Sequence, residues 1–192
     1  MQSNPDEDIC FLPGWMYDPG YYGFAPKVRL WQTPLNKIQP VTAKILIGFS
    51  LGGHLALKWF LEGKAEKLIL INPVIKPRSF TGLILCHLYY IFENFVKGQV
   101  NWSRTISFKY LPNALLSARK IFNFNFWQLI EKCPPEKVTL VFSAEDNFFT
   151  SKTDQAILQE KGFKVIEVPG NGHRWTASLR REVEKQLNLN YD

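Results

Sequence analysis

The sequence has few of the residues that build metal sites or disulfide frameworks, with three cysteines and three histidines among its 192 residues. Cys10, Cys86 and Cys133 are odd in number and are not spaced as zinc ligands are. We therefore expect reduced and mostly buried thiols, a cytoplasmic protein, and no bound metal.

The sequence also lacks a long apolar run. Its most apolar segment, residues 81–96, includes His87 and Glu93 and is shorter than the roughly 20 residues that a membrane-spanning helix needs. The first eight residues, MQSNPDED, are polar and acidic, unlike a signal peptide. With 46% hydrophobic and 21% charged residues, the composition is typical of a soluble globular domain.

Short apolar runs alternate with helical patterns along the chain. The runs predict six strands: Ile9–Leu12, Val28–Trp31, Ile45–Gly48, Leu68–Ile71, Val138–Ser143 and Lys164–Val168. The helical patterns cover Leu51–Glu62, Ser151–Lys161 and Thr176–Leu187. This alternation predicts an α/β fold, with a mostly parallel sheet and helices on both faces.

The middle of the chain departs from this alternation. Between Asn72 and Glu136 no convincing strand pattern occurs, and the segment is aromatic and helix-prone. We therefore predict a core formed by residues 1–72 and 137–192, with residues 73–136 inserted as a helical cap.

One serine lies between a predicted strand and a predicted helix, in the stretch Gly-Phe-Ser-Leu-Gly-Gly. Gly48 and Gly52 lie two residues either side of Ser50 and match the nucleophile elbow pattern G-x-S-x-G. In that turn the serine has a strained backbone, and the following helix directs its positive dipole end at the reacting centre. A glycine-rich turn without chemistry is the alternative. A phosphate-binding loop is disfavoured because the pattern G-x-x-x-x-G-K-[ST] is absent.

A nucleophilic serine needs a base, and the base needs an orienting acid. His173 follows the last predicted strand in a glycine-containing loop, whereas His54 lies in the helix after the serine and His87 in the predicted cap. Asp146 follows the strand Val138–Ser143, with Glu145 as its nearest rival. We therefore predict a catalytic triad of Ser50, Asp146 and His173.

These motifs together resemble the α/β-hydrolase fold family, in which the triad residues occur in the same order. The resemblance is found in "CFLPGWMYD", "GFSLGG", "SAEDNFF" and "GNGHRW". It implies that the backbone N–H groups of Trp15 and Leu51 form an oxyanion hole, and that no cofactor is needed. Pro13 replaces the usual histidine, and the chain has no room before Ile9 for the family's first two strands. We therefore expect a reduced sheet of about six strands.

The predicted cap is basic and aromatic. Residues 74–135 contain eight basic residues, two acidic residues and 12 of the 28 aromatic residues. We expect four aromatic residues to bind an acyl chain, namely Trp102, Phe122, Phe126 and Trp127. We expect four basic residues to dock an acidic acyl carrier protein, namely Arg104, Lys109, Arg119 and Lys120. Cap packing and a solvated basic surface are the alternative. Nucleic-acid binding is disfavoured because the charge is modest and no binding motif is present.

Within the fold family, "LPGW" and "SLGG" together with a compact helical cap resemble the pimeloyl-[acyl-carrier protein] methyl ester esterases of biotin synthesis. That resemblance implies a carboxylesterase that docks an acidic carrier, although Phe49 stands where those enzymes usually have tryptophan. A menaquinone-pathway synthase, a lyase with the same triad, is the rival, and His54 replaces its common arginine. A non-catalytic hydrolase-like binding protein is the third possibility.

Overall fold

Five parallel strands form the sheet in the computed structural model, which describes residues 8–76, 79–96, 108–170 and 172–187. The strands are β1 Ile9–Leu12, β2 Ile45–Phe49, β3 Lys67–Ile71, β4 Val138–Ser143 and β5 Lys164–Val168. Their order across the sheet is their order in the sequence. Because all four pairings are parallel, the carboxyl ends of the strands lie along one edge of the sheet.

Six α-helices connect or follow these strands within the described residues. They are α1 Gly52–Leu61, α2 Phe80–Val96, α3 Leu111–Phe122, α4 Phe126–Ile130, α5 Lys152–Glu160 and α6 Ala177–Gln186. The three helices predicted from the sequence are confirmed as α1, α5 and α6. Side-chain caps begin two of them: the hydroxyls of Ser151 and Thr176 accept hydrogen bonds from backbone N–H groups in the first turns of α5 and α6.

The strand side chains alternate between two faces of the sheet, and each face has its own apolar cluster. On one face, Leu46 and Leu70 pack in the cluster that includes Leu55 of α1 and Leu158 of α5. On the opposite face, residues from β1 to β5 pack with apolar residues of α6. Helices therefore cover both faces, as predicted from the nearly continuous apolar strands.

The strand predicted at Val28–Trp31 is wrong, and the sheet has five strands rather than about six. The segment is buried but irregular. The backbone N–H groups of Gln32 and Thr33 both bond the carbonyl of Arg29, which folds the end of the segment into a turn. The Trp31 indole N–H donates to the Gly14 carbonyl at 2.7 Å. The apolar run thus fills the core beside the loop after β1 instead of extending the sheet.

The middle segment, residues 73–136, contains α2, α3 and α4 and no strand among its described residues. It packs on the sheet's α1 side, because Leu83 and Ala118 belong to the same apolar cluster as α1. His54 of α1 links both ends of this segment: its Nε2 lies 2.7 Å from the Val74 carbonyl oxygen and its Nδ1 3.1 Å from that of Phe124. The division into core and cap stays a prediction.

The three cysteines are free thiols, with Cys10 and Cys133 buried and Cys86 half-buried. Burial raises the pKa of the Cys10 and Cys133 thiols to about 11. In the part of the chain that the structure describes, no helix combines the length and the apolar composition needed to cross a membrane.

Candidate active site

Ser50 lies at the turn between β2 and α1, with a left-handed backbone φ of +54°. Few residues other than glycine adopt this conformation, and it is the strained backbone that the elbow pattern predicts. The Ser50 N–H donates to the Ile71 carbonyl of β3 at 2.8 Å. This bond fixes the turn to the neighbouring strand, so the serine is held at the carboxyl edge of the sheet.

The glycines beside Ser50 allow backbone segments to approach one another. A Cβ on Gly48 would lie 2.5 Å from the Gly53 Cα and 2.8 Å from the Ala56 Cβ, so β2 and α1 are in direct backbone contact. A Cβ on Gly52 would lie 2.4 Å from the Leu12 carbonyl oxygen. The start of α1 therefore touches the loop after β1. Only glycine fits at both positions without a backbone shift.

The three predicted triad residues meet at this edge. The His173 Nε2 lies 2.6 Å from the Ser50 Oγ, and its Nδ1 lies 2.6 Å from the Asp146 Oδ2. All three residues are buried. The carboxylate accepts a hydrogen bond from the Nδ1–H, and in this tautomer the unprotonated Nε2 can accept the serine proton. The arrangement can thus perform nucleophilic catalysis with a general base.

The acid is positioned by the turn after β4. The Asp146 Oδ1 accepts a hydrogen bond from the Phe149 N–H at 3.3 Å, while its Oδ2 faces His173. The Glu145 side chain is exposed instead. Asn72, which follows β3, accepts a hydrogen bond from the Ser143 N–H at 2.7 Å and holds the end of β4 from the other side. Of the two carboxyl groups considered from the sequence, Asp146 is the one beside the histidine.

The two predicted oxyanion donors belong to segments that touch each other. Leu51 lies between Ser50 and Gly52, and the Gly52 Cα packs on the backbone just before Trp15. Among the described residues, the backbone N–H groups of Trp15 and Leu51 donate to no hydrogen-bond acceptor. Two buried or half-buried N–H groups without a partner near the serine are what an oxyanion hole requires, and this role stays a prediction.

Aromatic rings surround the base. The ring centroid of Phe149 lies 4.1 Å from that of His173, with Phe49 at 5.5 Å and Tyr90 at 6.0 Å. The Tyr90 hydroxyl also donates to the His173 carbonyl at 3.1 Å. Sequence reasoning missed Phe149 and Tyr90 as site residues. The position of Phe149 could be inferred from the sequence, since this residue follows Asp146 by only three positions. The position of Tyr90 could not be inferred in this way, because Tyr90 and His173 are far apart in the sequence.

The aromatic residues predicted to bind substrate lie elsewhere. The ring centroids of Phe122 and Phe126 lie 6.1 and 5.8 Å from that of His54, on α1, and Trp127 packs against Phe126. Their observed ring partners therefore belong to the core rather than to the triad, and their part in substrate binding stays a prediction. Trp102 lies outside the described residues.

The predicted docking residues are accessible where the structure describes them. Lys109, Arg119 and Lys120 are exposed, the last two in the final turn of α3. Arg104 lies outside the described residues. Within the described ranges, no group of three or more histidine, cysteine, aspartate or glutamate side chains is arranged to hold a metal ion.

The fold can be compared with known structures, although no protein-family model and no curated protein matches the sequence. An α/β hydrolase from a Medee basin deep-sea metagenome library aligns with a TM-score of 0.55 at 14% identity, covering 100% of this chain and 94% of its own. A thioesterase domain from the curacin biosynthetic pathway aligns with a TM-score of 0.54 at 12% identity, covering 97% and 92%.

A third similar structure is a monoacylglycerol lipase from Paleococcus ferrophilus, with a TM-score of 0.50 at 14% identity over 93% of each chain. At these identities the similarity establishes the architecture and not the substrate. The parallel five-stranded sheet, the helices on both faces and these structural neighbours together show that the chain has the α/β-hydrolase fold, in a reduced form.

Proposed function

We propose that this protein is a serine hydrolase that cleaves a carboxylic ester through Ser50, His173 and Asp146. The observation that supports this proposal most directly is the continuous chain of two 2.6 Å contacts from serine to histidine to carboxylate. The left-handed backbone of Ser50 supports it further, because strain of this kind is concentrated at functional sites.

The proposed mechanism uses these contacts in sequence. The Ser50 hydroxyl donates its proton to the His173 Nε2 as its oxygen attacks the acyl carbonyl carbon. The Asp146 carboxylate stabilises the imidazolium through the Nδ1 proton, and the N–H groups of Trp15 and Leu51 bind the oxyanion. The imidazolium then protonates the leaving alcohol. Water, activated by the same histidine, hydrolyses the acyl-enzyme and regenerates the serine.

For the substrate, we propose the methyl ester of a pimeloyl chain on an acyl carrier protein, as the sequence resemblance implies. The exposed basic residues Lys109, Arg119 and Lys120 support an acidic carrier as the partner. A small ester that is free in solution would need no basic docking surface. The assignment of a carrier-linked substrate depends on the cap, whereas the assignment of a serine hydrolase depends on the triad alone.

The test of the triad is Ser50→Ala. This variant should lose about 10⁴-fold or more in kcat on simple aryl esters, because a triad that lacks its nucleophile keeps only the residual catalysis of the remaining site. It should also lose labelling by a fluorophosphonate. Ser117→Ala is the matched control, since Ser117 is another buried serine but lies on α3.

The outcomes separate the alternatives. An unlabelled wild-type protein without esterase activity would contradict the proposal and favour a non-catalytic binding protein. Labelling of Ser50 without hydrolysis of the pimeloyl methyl ester on its carrier would contradict the proposed substrate and favour another reaction at the same triad, such as the elimination performed by the menaquinone-pathway synthases.

A further inference from the structure

The inner side of α2 brings a third histidine to the site. The His87 ring centroid lies 4.7 Å from that of Trp15, on the proposed oxyanion loop, and 6.4 Å from that of Phe149. Phe149 in turn contacts His173. His87 is therefore separated from the base by one aromatic ring, and it is adjacent to the loop that would hold the substrate carbonyl.

His87 differs from the other two histidines in its hydrogen bonding. His54 has a backbone carbonyl oxygen at each ring nitrogen, and His173 has the serine and the aspartate. Among the described residues, neither ring nitrogen of the half-buried His87 has a hydrogen-bond partner. The ring lies beside the proposed oxyanion loop, so a group that enters the site from outside can bond these nitrogens without displacing a partner within the described residues.

The charge state of His87 limits what that partner is. Burial, with a smaller contribution from the charge of His173, lowers the pKa of His87 to about 4. At neutral pH the imidazole is therefore uncharged, with one N–H donor and one nitrogen acceptor. A second cation here would also oppose the imidazolium that forms on His173 during turnover. Because an uncharged ring cannot balance the charge of a carboxylate, a neutral hydroxyl or amide group fits this position better.

We propose that His87 is a substrate-binding residue that hydrogen-bonds a neutral hydroxyl or amide group close to the scissile ester. This inference rests on the serine hydrolase of the proposed function, because it assigns His87 to the substrate of the same triad. It does not rest on the pimeloyl methyl ester, which bears no hydroxyl or amide next to its scissile bond, and a positive result would favour a substituted ester over that substrate. It predicts that the enzyme selects esters with a polar substituent near the reacting carbon over the plain alkyl esters of the same size.

The test compares two matched ester pairs. One pair, p-nitrophenyl butyrate and p-nitrophenyl 3-hydroxybutyrate, places the hydroxyl in the acyl group. The other, ethyl butyrate and 2-hydroxyethyl butyrate, places it in the alcohol. In His87→Phe the ring remains to pack on Trp15, but the hydrogen bond is lost. The ratio of kcat/KM for hydroxylated over plain ester should fall on the order of tenfold for one pair.

Two further variants sharpen the test. His87→Gln keeps a donor and an acceptor and should recover part of the selectivity. Tyr89→Phe, on the exposed side of the same helix, should leave both ratios unchanged. The plain ester is the reference within each pair, so a general loss of activity in His87→Phe cancels from the ratio. Unchanged ratios for both pairs in His87→Phe, with Ser50 still labelled by a fluorophosphonate, would overturn the role of His87 but not the proposed function.

Absence of any Ser50-dependent hydrolysis would instead overturn the proposed function. The role of His87 is then measured by binding, using nitrogen-15 histidine resonances in nuclear magnetic resonance spectra. The His87 resonances should shift with 2-hydroxyethyl butyrate or with p-nitrophenyl 3-hydroxybutyrate and not with the matching plain esters. Equal shifts, or no shifts, with both members of each pair would overturn the inference.

Discussion

The sheet and helix α2 use apolar side chains in opposite ways. In β2 and β3, every residue after the first is buried. In α2, six large apolar side chains are between 57% and 69% exposed: Leu85, Leu88, Tyr89, Phe92, Phe95 and Val96. They recur at helical spacing along one side, whereas Leu83, His87 and Tyr90 of the same helix face the core and the site.

The comparison shows what an apolar pattern determines and what it leaves undetermined. In a buried parallel strand both sides are covered, so the apolar run identifies the strand and its environment together. In a helix, the spacing of apolar residues identifies the helix. When apolar residues lie on two sides, as in α2, the spacing does not identify which side packs against the rest of the protein. The geometry of the proposed triad therefore depends on the sheet, and the surroundings of the proposed substrate site depend on α2.

The largest effect should come from the acid at the sheet edge. Asp146→Asn removes the charge that stabilises the imidazolium and favours the wrong tautomer of His173, so kcat on a small ester should fall by about 10⁴-fold. Glu145→Gln removes a neighbouring exposed carboxylate and should have little effect. Steady-state kinetics on an aryl ester measures both variants. A larger loss in Glu145→Gln would show that the acid is displaced by one residue.

The second effect concerns the contact between β2 and α1. Gly48→Ala places a Cβ 2.5 Å from the Gly53 Cα, and the backbone must shift to accommodate it. We expect a loss of about 3 kcal/mol in the free energy of unfolding. Gly53→Ala is the matched control, because its Cβ meets only ordinary contacts of 3.5 Å and more, and alanine favours the helix. Urea unfolding monitored by tryptophan fluorescence measures both. Equal stabilities of the two variants would contradict the close approach.

Much of the core could be predicted from the sequence, for physical reasons that apply to particular elements. Five strands, three helices and the order of the triad residues follow from local patterns, because strand runs, caps and the elbow glycines are set by neighbours in the chain. The apolar residues of Val28–Trp31 predict a strand, but a turn at Arg29 and the indole hydrogen bond of Trp31 hold the segment in an irregular, buried conformation instead.

The surroundings of the triad could not be predicted in the same way. The contact of His87 with Trp15 and that of Tyr90 with His173 join residues 72 and 83 positions apart, and no local pattern encodes them. The prediction of an aromatic lining depends on the composition of residues 74–135. Composition does not distinguish a ring that packs on His54 from one that faces the substrate.

The smallest effect should come from the exposed charges of α3, where the proposed carrier would dock. Arg119→Glu combined with Lys120→Glu should lower kcat/KM on a carrier-linked pimeloyl methyl ester by about tenfold, since exposed charges act mainly on association. The same variant should hydrolyse a small aryl ester at the wild-type rate, because neither side chain contacts the triad. The defect should shrink as salt is added, since screening is strong beyond about 8–10 Å at physiological ionic strength.

A matched control reverses two exposed basic residues outside residues 73–136, Arg29→Glu with Lys37→Glu. It changes the net charge by the same amount, so it separates a local docking surface from a general attraction between a basic protein and an acidic carrier. Equal losses in both double variants would assign the effect to net charge, and the docking role of Arg119 and Lys120 would be wrong. A loss confined to the α3 variant, on the carrier-linked ester alone, would place the carrier on the helical segment and the chemistry on the sheet.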